Sequence, residues 1–240
     1  MIAIRPIPVV FGLMLMIAAL PAQAQNLVVV ASGAPTLTPG QVVKANAPLD
    51  IPAGASVTLV SESGKTVTLT GPHSGPAGIG GGGGGGKASL VSSLSKLLEE
   101  SGRETASLGT MRAAGRREPP DDPWVMDIGQ SGDQCAAAAG AVIFWRAVEN
   151  KARILSLKNL NDRSRALADW PAGASRLEWP KEVKLADGAR YLLRLKGSRA
   201  TRKITLHLVP GDLPTDAHKA AWMAEKGCAR QAMRLLARLR

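Results

Sequence analysis

An unbroken run of glycines, Gly80 to Gly86, constrains the fold of this 240-residue chain more than any other sequence feature. Glycine has no side chain to bury and the highest backbone entropy, so such a run is typical of a flexible tether. Pro72, Gly75 and Pro76 precede the run. We therefore expect a Gly/Pro-rich linker over residues 73–123, with a folded body on each side.

The glycine run has a superficial likeness to a nucleotide-binding loop, because Lys87 follows it as a lysine follows the last glycine of a P-loop. The likeness fails at Ala88, which stands where a hydroxyl group should hold magnesium, and no hydrophobic strand leads into the run. The pattern therefore favours a tether over a phosphate-binding loop.

The first 24 residues have the three parts of a bacterial secretory signal peptide. Arg5 supplies the positive charge, residues 7–20 are almost continuously apolar, and Pro21 ends the apolar run. A small-x-small pattern then predicts cleavage between Ala24 and Gln25. The apolar run is shorter than the roughly 20 residues that a membrane span needs, although an uncleaved anchor is the alternative. We expect export to the periplasm and no stable membrane span after cleavage.

The predicted export affects the expected oxidation state of the two cysteines of the chain, Cys135 and Cys228. Disulfides form and persist in oxidising compartments, and two cysteines allow one intramolecular bridge. We predict that bridge, with an intermolecular disulfide or two buried thiols as the alternatives.

Residues 26–72, before the tether, are predicted to form short strands. Val57 and Leu59 alternate with polar residues, as do Val67 and Leu69, and this period of two is typical of half-buried strands. Residues 61–64 contain a glycine and predict the hairpin turn between them.

A short helix is predicted at residues 89–101 within the linker. Leucines and a valine recur on one helical face, Ser89 is a candidate N-cap and Gly102 a candidate stop.

Residues 124–240 contain all five tryptophans and are expected to hold the larger core. Short apolar runs separated by turn signals favour a small antiparallel β-sandwich, and residues 215–240 predict a C-terminal helix. The strand candidates are 124–128, 139–145, 154–157, 191–195 and 204–209.

The chain carries a formal net charge of +11 at pH 7, and the excess is concentrated. The segment from residue 190 to 203 holds six cations and no acidic residue. For an exported protein, such a cluster predicts an anionic partner in the envelope rather than nucleic acid, and a generic solvated surface is the alternative. We expect the partner to be an envelope protein or an anionic envelope polymer. The six candidate residues are Arg190, Arg194, Lys196, Arg199, Arg202 and Lys203.

No catalytic or metal-binding pattern is recognisable. His73, His207 and His218 share no ligand spacing with each other or with the cysteines, and neither a G-x-S-x-G elbow nor a cysteine beside a base is present. We predict a non-enzymatic protein without catalytic, cofactor-binding or metal-binding residues, and without a cofactor. The alternatives are an accessory sensor or regulator for a membrane-bound signalling partner, and an envelope hydrolase, since carboxylates need no local signature.

The first body resembles a FecR-type periplasmic domain. The similar elements are Thr38-Pro39-Gly40, the segment 51–59 and the return segment 64–69. The resemblance implies a small β module; the sigma-factor signalling of some members is not implied, because those members have a cytoplasmic tail and a membrane span. Residues 177–180 and 191–193 look loosely like immunoglobulin-like strands. The expected fold is therefore mainly β with α: a FecR-like β module, a glycine-rich linker with a short helix, and an immunoglobulin-like antiparallel sandwich with a C-terminal helix.

Overall fold

The computed structural model describes residues 25–78, 89–108, 121–138 and 141–239, with only the backbone of residues 104–108. The predicted signal peptide, its cleavage position after Ala24 and the glycine run from Gly80 to Gly86 lie outside these residues. In the described part the chain is mainly β with three helices, so the coarse fold class is confirmed.

Fourteen strands and three helices make up the described residues. The strands are β1 (Asn26–Ser32), β2 (Val42–Lys44), β3 (Leu49–Ile51), β4 (Ser56–Ser61), β5 (Thr66–Thr70), β6 (His73–Gly75), β7 (Val125–Asp127), β8 (Gly132–Ala137), β9 (Ile143–Trp145), β10 (Arg153–Asn159), β11 (Arg165–Trp170), β12 (Arg176–Glu178), β13 (Arg190–Leu195) and β14 (Arg202–Val209). The helices are α1 (Leu90–Leu108), α2 (Asp216–Glu225) and α3 (Ala229–Ala237).

The first sheet has the antiparallel order β2-β1-β4-β5, with the predicted hairpin joining β4 and β5. Val57 and Leu59 face a small core shared with the β3–β6 pair. The opposite face is buried as well, because Val28, Val30 and Val60 pack against α1. Burial on both faces makes β4 almost continuously buried rather than half-buried.

The start of α1 is held by the turn of the first sheet. Ser89 Oγ accepts a hydrogen bond from Ser92 N at 3.1 Å, which makes Ser89 the N-cap as predicted. Glu62, in the β4–β5 turn, accepts bonds from Ser89 Oγ and Val91 N. A carboxylate at a helix N-terminus is favourable for the unpaired N–H groups there. Sheet and helix therefore form one packed unit.

The predicted helix end at Gly102 is wrong, because α1 continues to Leu108. Nothing lies within 4 Å of a Cβ built at Gly102, so this glycine is on the open side of the helix. A glycine there costs roughly 1 kcal/mol relative to alanine, which packing of the apolar face of the helix overcomes.

Two further sheets enclose a core of their own. A five-stranded sheet has the order β11-β10-β13-β14-β8, and a three-stranded sheet has the order β12-β9-β7. Pairing is antiparallel except between β14 and β8 and between β7 and β9, which are parallel, so the prediction of an antiparallel sandwich is wrong for these two pairs. Trp179 is central to the core between the sheets: its ring stacks on Phe144 at 5.1 Å and meets Tyr191 edge-on at 4.9 Å. Such ring pairs add to the free energy gained from burial.

The C-terminal segment forms two helices, and the prediction of one continuous helix is wrong. The break falls at Gly227, whose φ of +83° is a backbone conformation that favours glycine. Thr215 caps the first helix by accepting a hydrogen bond from His218 N. Cys228 begins the second helix and is bonded to Cys135 in β8, so the predicted intramolecular disulfide is present. The bridge ties the helix pair to the edge of the five-stranded sheet.

Of the helices in the described ranges, none combines the length and the apolar character that crossing a membrane requires.

Candidate functional site

The outer face of the five-stranded sheet, turned away from the three-stranded sheet, gathers cations from four strands. The strand registers place Arg165 opposite Lys158, Lys158 opposite Leu192, and Leu192 opposite Lys203. Residues paired in this way lie on the same face, with Cβ atoms about 5 Å apart. Arg190 and Arg194 join them, since alternate residues of β13 share a face. We call this surface, with its cations Lys158, Arg165, Arg190, Arg194 and Lys203, the basic face.

The five cations of the basic face are exposed, and none forms an ion pair with a carboxylate among the described residues. Acidic residues lie at its borders instead: Asp169 near one end of β11, Asp162 in the β10–β11 turn, and Asp133 on β8. Asp133 is occupied by His207, whose Nε2 lies 2.9 Å from its Oδ1. The middle of the face is therefore positive.

Leu167 stands among these cations and is 73% exposed. It lies opposite Ser156, which lies opposite Arg194, so the leucine and the arginine flank one serine in the same row. An exposed leucine alone is normal on a protein surface. Next to Arg165 on one side and Asp169 on the other, it adds an apolar side chain at the edge of the basic face, which is therefore amphipathic.

The structure divides the six cations predicted from sequence. Arg190, Arg194 and Lys203 lie on the basic face, whereas Lys196 and Arg199 are exposed in the loop between β13 and β14. Arg202 lies opposite Leu193, on the inner face of the sheet, and its Nε donates to Gly129 O at 2.9 Å.

Sequence reasoning missed Lys158, Arg165 and Leu167. Asn161-Asp162 is a turn signal in the sequence, and Lys158 and Arg165 lie on either side of it. Treating that turn as a hairpin would have placed the two cations opposite each other. No strand was predicted after the turn, so the pair was not found.

A cleft of about 410 Å³ opens between the two sheets beside the hairpin loop that joins β13 and β14. Its apolar side is formed by Leu155, Leu193 and Leu195 on the inner face of the five-stranded sheet. Arg202 and Arg146 contribute positive charge, and Arg194 borders both the cleft and the basic face.

Arg146, immediately after β9, is buried, with 4% of its side chain exposed. Its guanidinium lies over the ring of Trp170 at 4.9 Å, and Nη2 donates to Pro171 O at 3.1 Å. Nη1 is 3.4 Å from Glu149, but neither Nη1 nor Nε has a hydrogen-bond acceptor. Burial lowers the pKa of Arg146, and the positive charge of Arg153 lowers it further against the opposing effect of Glu149.

Both cysteines are consumed in the disulfide, so neither is available as a nucleophile. Within the described ranges, no three His, Cys, Asp or Glu side chains come together closely enough to hold a metal ion.

In comparisons with protein-family models, curated proteins and solved structures, none matches the chain.

Proposed function

We propose that this chain is an exported, non-enzymatic protein of the cell envelope that binds an anionic lipid surface through its basic face. The proposal joins the signal-like N-terminus, the positive net charge and the cations gathered on one sheet face.

The observation that carries the proposal is the pairing of Arg165 with Lys158 directly across two strands. Like charges in this position destabilise a sheet. Both side chains lack a carboxylate partner among the described residues. The described residues therefore do not compensate the repulsion between Arg165 and Lys158. An external anion would supply the missing negative charge.

The two-dimensional spread of the cations supports a lipid surface rather than one extended polymer. The basic face spans four adjacent strands, which lie about 4.8 Å apart, so its charges form an array rather than a line. Leu167, exposed among them, suits the boundary between headgroups and acyl chains. Each lysine or arginine near an anionic membrane contributes about 1 kcal/mol, so five give about 5 kcal/mol at low ionic strength.

The test is co-sedimentation of the protein, without residues 1–24, with vesicles of phosphatidylcholine alone or mixed with phosphatidylglycerol. We expect binding to the mixed vesicles that weakens as salt is raised. Replacing Lys158 and Arg165 by glutamine removes about 2 kcal/mol and should weaken binding about 10- to 30-fold. Leu167→Gln should weaken the vesicle binding that remains at high salt, because salt screens the cations but not the apolar contact of Leu167.

The matched control is the pair Lys44→Gln and Lys65→Gln, two exposed lysines that lie in β2 and in the β4–β5 turn. It removes the same net charge from another part of the surface and should leave binding close to wild type. Equal losses in the two double variants would show that net charge alone is responsible. Binding to an acidic polysaccharide such as heparin with no binding to vesicles would replace the lipid by a polymer as the partner.

Export is tested separately, by fractionation of cells that express the full chain. We expect the protein in the periplasmic fraction, with Gln25 as its N-terminal residue by mass mapping. Recovery in the cytoplasm with residues 1–24 attached would refute export.

The finer fold assignments belong to the same proposal. We propose that residues 26–72 are a FecR-like β module and that the part after residue 124 is an immunoglobulin-like sandwich. The β4–β5 hairpin supports the first assignment, and the aromatic core between two facing sheets supports the second. A solved structure of a FecR-type domain that superposes on β1, β2, β4 and β5 in the same order would test the first assignment.

A further inference from the structure

A second binding site, distinct from the basic face, is indicated by the cleft between the two sheets. The cleft is about 410 Å³, within the range of small-molecule sites. One side is apolar, formed by Leu155, Leu193 and Leu195, and Trp145 lies at its border. An apolar wall with a few convergent polar groups is the usual composition of such a site.

The charge of the cleft is unbalanced. Three arginines and one carboxylate, Asp127, line it, which leaves an excess of two positive charges (3 − 1 = 2). The oxygens of Asp127 are already engaged, Oδ1 by Gly129 N at 2.8 Å and Oδ2 by Gln130 Nε2 at 3.3 Å. The carboxylate therefore does little to neutralise the arginines.

Arg146 gives the second, independent indication. It is nine-tenths buried or more, and two of its nitrogens have no acceptor. Its nearest carboxylate, Glu149, is shared with Arg153, whose Nε lies closer, at 2.9 Å. A buried cation with unsatisfied donors is costly unless an anion completes its hydrogen bonds.

From these features we infer that the cleft binds a small amphipathic anion, with an oxyanion held by Arg146 and Arg202 and an apolar body against Leu195, the partly exposed leucine of the apolar side. A guanidinium presents paired N–H groups that match a carboxylate or a phosphate. Leu155 and Leu193 are already buried in the core, so Leu195 is the leucine that a hydrocarbon portion of the ligand would cover, which a hydrated inorganic anion would not do. The site shares Arg194 with the basic face, but Arg146, Arg202 and its leucines lie on the inner side of the sheet, away from the proposed membrane contact.

The experiment is isothermal titration of the protein, without residues 1–24, with octanoate, octyl phosphate and octanamide. These probes share an eight-carbon body and differ in the head group. We expect one saturable site for an anionic probe and at least about tenfold weaker binding of neutral octanamide. Tighter binding of octanoate or of octyl phosphate identifies a carboxylate or a phosphate as the preferred head group.

Three variants locate the site. Arg202→Met and Arg146→Met each keep an apolar stem, remove a guanidinium, and should weaken anion binding about tenfold or more. Arg190→Met removes the same charge from the basic face and should bind the anionic probes like wild type. If Arg146→Met does not fold, Arg202→Met decides alone. The inference is overturned if no anionic probe saturates, if octanamide binds as tightly, or if Arg202→Met retains wild-type affinity.

The two proposals fail separately. Arg190→Met should weaken vesicle binding while leaving octanoate binding unchanged, whereas Leu195→Asn, in the apolar wall, should do the reverse. If the protein does not bind vesicles, the proposal for the cleft still stands. If it does not bind octanoate, the proposal for the basic face still stands.

Discussion

The side chain of Gln231 in α3 forms two hydrogen bonds with the backbone of Cys135 in β8. Its Oε1 accepts from Cys135 N and its Nε2 donates to Cys135 O, each at 2.7 Å, and Nε2 also donates to Pro123 O at 2.8 Å. β8 is the edge strand of the five-stranded sheet, so this amide takes the place of the next strand. Covering an edge in this way protects it from pairing with another chain.

Gln231→Leu should therefore destabilise the protein by about 2 to 4 kcal/mol, because buried backbone groups of Cys135 and Pro123 lose their partners. The measurement is the free energy of unfolding in urea. Gln41→Leu, at an exposed glutamine, is the matched control and should change this free energy little. Equal stability of the two variants would mean that the edge contact contributes nothing.

Removing the disulfide should also destabilise the protein. The bridge closes a loop with a sequence separation of 93. Constraining so long a loop restricts the unfolded chain, and replacing Cys135 and Cys228 by alanine should cost about 2 to 5 kcal/mol. The measurement is urea unfolding of wild type and the double variant. Mass mapping without reductant provides the control, since free thiols in the native protein would contradict the bridge.

Gly40 should be intolerant of alanine because of its contact with α1. Its φ is +92°, and an added Cβ would lie 3.1 Å from Glu99 Cγ and 3.2 Å from Ser95 O. Gly54 has a similar φ of +82° but nothing within 4 Å, so it is a matched control. We expect Gly54→Ala to cost about 1 to 2 kcal/mol through backbone strain alone.

Gly40→Ala should cost about 1 kcal/mol or more in addition to the cost of Gly54→Ala, because α1 must shift to make room for the added methyl group. The two free energies of unfolding are compared in the same denaturant. Equal costs would show that α1 yields to the added methyl group without penalty.

Tyr191 should titrate at a higher pH than a free tyrosine. Burial raises the pKa of its phenol, whose OH donates to Lys184 O at 2.9 Å. A pKa that is higher in the folded state means that the tyrosine contribution to stability is complete below about pH 10 and is lost as the pH rises through the folded pKa. Since this is the one tyrosine of the chain, the absorbance of tyrosinate reports it directly.

The comparison for this titration is the same protein in denaturant, where the pKa should return to its usual value near 10. Tyr191→Phe should remove the tyrosine part of the alkaline loss of stability. Identical titration curves for the folded and the unfolded protein would contradict the effect of burial.

Strands rich in large apolar residues could be predicted from sequence, as β1, β10, β13 and β14 show. β8 could not, because Gly132–Ala137 contains no alternation of large apolar side chains. It becomes a strand through contacts distant in sequence: the parallel pairing with β14 on one edge and the amide of Gln231 on the other. Local propensity carries no information about either contact.

The candidate sites show the same limit. The charge of residues 190–203 was visible as a cluster, but which cations share a face depends on strand register, so Arg202 and Lys203 fall on opposite faces of one strand. Arg146 directly follows a predicted strand, and the sequence does not single it out, since its significance lies in burial and unsatisfied donors. Those properties arise only when Trp170 and the loop before β10 pack around it.

The core that joins Val28 and Val60 of the first sheet to Leu235 of the last helix has a consequence for how the chain acquires its structure. α1 covers one face of the first sheet and packs in turn against α2 and α3, and the disulfide ties the start of α3 to β8. This core is therefore complete only when helices from the opposite end of the chain have packed against α1. Contacts that span so much of the chain slow folding, and they leave strands open to mispairing in the interval.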